Sequence, residues 1–245
     1  MILRIVKSGK SSIKVNILLF IFGLSSISSV SQSLKIINLG EIPQRRVRQY
    51  IQSRSIDRMH DFSSIHASCK KDITESDFNL NEKIFYLNYS LSKVWACYSQ
   101  GNPLKTWNGP SIGLGLLISK CSESVVYAKD SFFPEIDTGQ VYFLNLKLMK
   151  GLINIPVAFE IINIDRIKQI LEISYIDNGK SQGKQTLQFF DAGDGRTMIV
   201  HRSYFKSKSW LRDDLLYPCF HKKFVKEFHR NMKHLIEKTG STVPI

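Results

Sequence analysis

The stretch Asp213–Lys238, DDLLYPCFHKKFVKEFHRNMKHLIEK, restricts the fold more than any other part of the chain. Turning about 100° per residue, it sorts into two faces. Tyr217, Phe220, His221, Phe224, Phe228, Met232 and Leu235 share one face; Lys222, Lys226, His229 and Lys233 share the other. Asp213 or Asp214 suits the N-cap, where free backbone N–H groups need acceptors. Pro218 falls in the first turn, where a missing N–H costs little. Gly240 follows the end as a C-terminal stop. A long helix with an aromatic stripe needs a wide apolar surface to lie on, and the preceding chain has to build it.

That surface is spelled out in strand-like segments. Lys83–Tyr89 comes first, rich in aromatics. Ser90–Gln100 then has the spacing of a short helix, and Pro103–Trp107 that of one further turn after Gly101-Asn102-Pro103. Strand candidates follow at Ile112–Ser119, Ser124–Lys129, Gln140–Met149, Ile155–Asn163, Lys168–Ile176, Gly183–Phe190 and Arg196–Phe205. Alternation puts Tyr142, Leu144, Leu146 and Leu148 on one face of their strand, Val157, Phe159 and Ile161 on theirs, and Leu171, Ile173 and Tyr175 on theirs. Leu187 and Phe189 do the same. Asp177-Asn178-Gly179 and Asp191–Gly195 are turn signals. Strands joined by such turns predict an α+β domain: a curved antiparallel sheet of about seven strands gripping the C-terminal helix, with two short helices after the first strand.

The 245 residues, 43% of them hydrophobic, suit one globular domain with extensions. Net charge is +13, to which Arg4, Lys7, Lys10 and Lys14 contribute before the first acidic residue, Glu41. Those basic residues, the apolar run Val15–Leu24 and a Ser-rich tail follow the order of a secretory signal peptide. The run is too short for a comfortable membrane span. Residues 1–33 are therefore expected to direct export to a periplasmic or secreted location, with cleavage near Ser31 or Ser33. An organelle-targeting or uncleaved anchoring segment is the alternative.

Residues 34–80 form a basic polar extension. It contains QRRVRQYIQSRSIDRM, where a helix would gather Val47, Tyr50 and Ile51 among Arg45, Arg46, Arg48, Arg54 and Arg58. A solvated helix or linker is the expectation there, with peripheral contact to an anionic membrane as the functional alternative. Residues 81–240 are the folded domain and 241–245 a tail. Cys69, Cys97, Cys121 and Cys219 lack the spacing of a metal site, so no metal is expected. Export would permit disulfides, but their pairing does not follow from sequence.

The order of elements, the segment KVWACYSQGNPLKTW just after the first strand, and the terminal run TMIVHRSYFKSKSWLRDDLLYPCFHKKFVKEFH together resemble the START-like, or SRPBCC, helix-grip superfamily. The resemblance covers residues 81–240. It implies a cavity between sheet and helix that holds an apolar or aromatic ligand. The superfamily has no shared catalytic motif to carry over.

Among the residues themselves, His221 shares the apolar helix face, one turn after Tyr217. His201 shares its strand face with Ile199, Ser203 and Phe205, while Arg202 faces the other way toward solvent. Two independent inward assignments bring His201 and His221 toward each other. Glu160 and Glu172 sit opposite the apolar runs and are expected in solvent. Gly113 and Gly115 are a lone GxG, expected at a bend in the sheet. No GxSxG elbow is present, and the aromatics are committed inside rather than interleaved with the basic surface, which argues against nucleic acid as a partner.

The leading expectation is a non-enzymatic binding or carrier domain for an apolar small molecule or lipid, needing no cofactor. Its site would comprise Tyr142, Leu146, Phe159, Ile173, Phe189, His201, Tyr217, His221, Phe224 and Phe228. A cyclase- or dehydratase-type enzyme would use His201, Tyr217 and His221 as acid and base. The third expectation is an interaction protein with a filled core and a basic outer surface. Cavity volume separates it from the first two.

Overall fold

The computed structural model describes residues 37–59, 61–69, 77–179, 181–207 and 217–240. The leader and the Asp213 or Asp214 cap fall outside the described residues. So do the side chains of Tyr217, Cys219 and Phe220. Among the described residues, eight strands make one open antiparallel sheet: β1 (Asn79–Leu87), β2 (Ile112–Ser119), β3 (Ser124–Tyr127), β4 (Gln140–Leu148), β5 (Ile153–Asp165), β6 (Ile170–Tyr175), β7 (Ser181–Asp191) and β8 (Thr197–Ser207). All eight correspond to strand candidates of the sequence, and the short β3 pairs with β2 as an edge strand.

The order across the sheet is β1-β8-β7-β6-β5-β4-β2-β3. Strands β4 to β8 are a meander in which each hairpin returns beside its predecessor. Strand β1 closes on β8 at one end of the meander, and β2 lies beyond β4 at the other. Helices α2 (Leu91–Gln100) and α3 (Pro103–Thr106) carry the chain between those two ends. The long helix α4 (Tyr217–Gly240) packs against both. This is a helix-grip arrangement, a long helix held against one antiparallel sheet.

The core on the helix side is built from alternate strand positions, as the sequence predicts. Tyr142, Leu144, Phe159, Ile161, Leu171, Ile173, Leu187, Phe189 and Ile199 are buried there with Phe228, Met232 and Ile236 of α4. The register of α4 differs from expectation. Its buried residues are His221, Val225, Glu227, Phe228, His229, Met232 and Ile236, while Phe224 and Leu235 are only partly covered. The helix is rolled toward His229, because that imidazole has polar partners inside. Lys222, Lys226 and Lys233 do face solvent.

The opposite face of the sheet is also buried. Leu116, Ile118, Val141, Phe143, Ala158 and Ile176 pack under Ile37, Ile42, Val47, Ile51, Ile56, Phe62 and Ile65. Helix α1 (Arg45–Gln52) lies within this cover and puts Val47 and Ile51 onto the sheet. Residues 37–65 are thus a third layer rather than a solvated linker. The apolar face proposed for lipid is spent inside the protein. Arg48 Nη1 donates to the Ile42 carbonyl at 2.6 Å, and Arg54 donates to the Asp177 and Asn178 carbonyls while lying over the Tyr50 ring.

This layer also corrects two smaller expectations. Glu160 is 9% exposed and pairs with Lys120 at 2.7 Å; Glu172 is half-buried with Lys184 at 3.1 Å. At Gly115, beside a bulge in β2, a Cβ would stand 2.9 Å from Val47 Cγ1 and 3.1 Å from the Phe143 carbonyl. That glycine admits α1 to the sheet. Gln44 Nε2 completes the contact by donating to the Leu114 carbonyl at 2.9 Å.

Ile51 is fully buried in this layer. Ile51→Ala is expected to lower unfolding free energy by about 2–5 kcal/mol in a denaturant titration. A loss below about 0.5 kcal/mol, the range of surface positions, would return residues 37–65 to the status of an appendage.

Candidate functional site

Four side chains from four elements form one hydrogen-bonded line on the helix side of the sheet. Tyr98 comes from α2, one turn beyond the buried Val94. His229 comes from α4, His201 from β8 and Gln185 from β7. Tyr98 Oη lies 2.6 Å from His229 Nδ1. His229 Nε2 lies 2.9 Å from His201 Nδ1, and His201 Nε2 lies 2.8 Å from Gln185 Oε1. Gln185 Nε2 points the other way, toward Tyr175 Oη at 3.5 Å, which leaves Oε1 for the imidazole.

The end members set the direction of the protons. Gln185 Oε1 only accepts, so His201 donates from Nε2 and accepts at Nδ1. His229 must then donate from Nε2 and accept at Nδ1, and the proton it accepts is that of Tyr98. With Gln185 Oε1 turned toward His201, one arrangement of neutral groups satisfies every atom in the line. Burial, above all, holds the His201 imidazole well below its ordinary pKa; His229, His221 and Lys83 add to the effect. Burial takes His229 to about 3, and burial with Lys83 takes His221 to about 4. The Tyr98 hydroxyl is pushed up by burial, then by Cys97, and stays protonated.

His229 is stacked on Phe85 with ring centroids 3.9 Å apart. The expectation that it belonged to the wet lysine face is therefore overturned. His201 and His221 rings meet edge-on at 6.1 Å. His221 bonds through Nε2 to Ser203 Oγ at 3.2 Å, to one side of the line.

Beside the line is a cavity of about 20 Å³. Its lining includes Tyr142, Ile173, His201 and Phe228 from the expected set, joined by Tyr98 and Trp107. Phe159 stacks on Tyr142 behind the wall, and Phe189 packs edge-on against Tyr98. Leu146 and Phe224 are partly buried at the margin of the core. Trp107 lines the cavity, face to face with Phe228 at 4.1 Å. Among the described residues, no His, Cys, Asp or Glu cluster can hold a metal ion, and Cys69, Cys97 and Cys121 are free thiols.

A second buried polar group anchors this face. The Glu227 carboxylate, 5% exposed, accepts the backbone N–H groups of Ser111 at 2.9 Å and Ile112 at 3.1 Å. Asn231 Nδ2, one turn on, donates to the Thr106 and Asn108 carbonyls. Together they tie the segment carrying Trp107 to α4. At Gly109 a Cβ would stand 2.5 Å from Glu227 Oε1, so a larger residue there would displace the carboxylate.

Tyr98, Gln185, His229 and Glu227 were not among the sequence candidates. Gln185 shares strand parity with Leu187 and Phe189, a signal that was available. His229 lies about 80° round the helix from His221, a signal outweighed by its lysine neighbours.

No family model matches the chain, and no curated protein does. Solved structures are similar in fold. Norcoclaurine synthase from Thalictrum flavum, in complex with dopamine and hydroxybenzaldehyde, aligns at TM-score 0.48 and 11% identity over 69% of this chain and 94% of that one. A START superfamily protein from Mycobacterium smegmatis aligns at 0.44 and 11%, over 65% and 98%. Ara h 8.0201 aligns at 0.46 and 13%, over 65% and 98%.

The depressed imidazoles give a pH dependence of defined sign. Above about pH 6.5 folded and unfolded chains carry the same histidine charge. Below it the unfolded chain takes up protons that His229 and His221 refuse until about 3 and about 4. Stability is therefore complete near neutrality and is lost as pH falls from 6.5 toward those values, by roughly 2 kcal/mol per imidazole at pH 5. Denaturant titrations at pH 7 and pH 5 measure this. Replacing His221 by Phe should lessen the drop, and equal stabilities of the wild type at both pH values would contradict the neutral, buried assignment.

Proposed function

We propose that this chain binds an apolar small molecule of aromatic-ring size between α4 and the sheet, at the cavity that Trp107 lines. The observation that carries the proposal is the make-up of that cavity. Its walls are aromatic and aliphatic, and a single organised polar line runs along one of them. Pockets that recognise small molecules combine apolar walls with a few placed polar groups in this way. At about 20 Å³ the space accepts roughly one water, so a ligand enters only when a wall moves. Trp107 is the side chain suited to move. It is half-buried, it follows the four-residue helix α3, and it rests on Phe228 by one face.

A filled-core interaction protein is the second reading, and the small cavity volume favours it. An acid–base enzyme built on His201 has less support, because both of its ring nitrogens are already bonded to the protein.

Trp107→Ala separates these readings. Removing the indole should open the cavity and raise the affinity for naphthalene at least about tenfold over wild type. Trp107 fluorescence in the wild type should change as naphthalene is added. Native mass spectrometry and equilibrium titration measure both. Failure of wild type and variant alike to bind naphthalene, with the variant folded, would replace the carrier reading by the filled-core one.

A further inference from the structure

The hydrogen bonds around the cavity restrict which polar group a ligand can carry, a restriction that rests on the binding site proposed above. Three residues that carry hydroxyls line the cavity, Tyr98, Thr106 and Tyr142. Each has already given its proton to the protein. Tyr98 donates to His229 Nδ1 at 2.6 Å, Thr106 Oγ1 to the Pro103 carbonyl at 3.2 Å, and Tyr142 to Gln140 Oε1 at 2.8 Å. His201 accepts at one nitrogen and gives its only proton to Gln185. What these groups still offer is oxygen lone pairs. Among the described lining side chains, the remaining donor is the indole N–H of the half-buried Trp107.

We infer that the site selects ligands by a hydrogen-bond donor, a neutral alcohol or phenol on an apolar skeleton, received by the Tyr98 oxygen. Tyr98 is singled out because its proton goes to the far end of an imidazole line. Donation along that line draws positive charge away from the oxygen and makes it a better acceptor. A ligand that only accepts, such as an ether or a ketone, would set lone pair against lone pair. A carboxylate would do so with a full charge in a buried site. A site built around an unpaired polar atom discriminates strongly by whether the ligand completes it.

Matched ligands test this on the wild-type protein. Naphthalene, 2-naphthol, 2-methoxynaphthalene and 2-naphthoate share one skeleton and differ at one substituent. Calorimetric titration at pH 7 should rank 2-naphthol tightest, at least about tenfold over 2-methoxynaphthalene, with no binding of 2-naphthoate. In Tyr98→Phe, the naphthol should fall to within about twofold of the ether. Thermal unfolding of that variant reports whether it is folded, and the wild-type series stands without it. Equal binding of naphthol and ether, or a preference for naphthoate, overturns the donor rule and leaves the binding site intact. A naphthol preference kept by folded Tyr98→Phe overturns the assignment to Tyr98. Absence of binding by all four ligands overturns the site itself, and the donor rule with it.

Discussion

Two imidazoles 2.9 Å apart inside a protein must share one proton between their facing nitrogens. If both facing nitrogens carried protons they would repel, and if neither did, two buried lone pairs would go unsatisfied. His201 and His229 solve this only because each has a suitable partner at its far side. The acceptor end is Gln185 and the donor end is Tyr98. That condition reaches through the whole domain. It sets the roll of α4, the depth at which α2 lies, and the inward facing of a glutamine on β7. Phe85 on β1 completes the enclosure by stacking on His229. Strands from one end of the sheet and helices that cross to the other are thereby held in one network, beside the place where a ligand would sit.

Further polar contacts frame the small space on the helix side of the protein. Glu227 and Asn231 fix the segment from Thr106 to Ile112 on the same helix that carries His229. Trp107 lies within that segment, yet no described hydrogen bond holds its ring. Under the proposed function, that frame with one stacked aromatic beside the space is where a ligand would enter. The third layer, residues 37–65, supports the sheet from behind and leaves the site side alone.

The fold was largely legible because period-2 alternation and turn residues mark the strands of the meander directly. Leu171 and Ile173, or Leu187 and Phe189, could face only one way once a helix needed a bed. The third layer was harder to read. Arginines around Val47 and Ile51 suggested solvent or lipid, yet β2 and β4 carry apolar residues at both parities. Leu116, Ile118, Val141 and Phe143 demanded a cover on the far side, and a run that is apolar on both faces is the sign of a doubly buried strand. The inward facing of His201 and His221 was legible through strand parity and helix phase. His229 was missed because lysines flank its face and the aromatic residues pulled the expected centre toward Phe224. Tyr98 was missed because α2 is short, and nothing local says which of its side chains meets α4. A polar line assembled from four separate elements has no local spacing to betray it.

The protonation pattern of the two linked imidazoles tests this account most directly. Long-range nitrogen–proton NMR correlation of ¹⁵N-histidine-labelled protein at pH 7 reports charge and tautomer for each ring. The account requires His201 and His229 both neutral, both protonated at Nε2, and both with unprotonated Nδ1. An imidazolium at either position, or a proton on His229 Nδ1, would break the line from Tyr98 to Gln185 and contradict it.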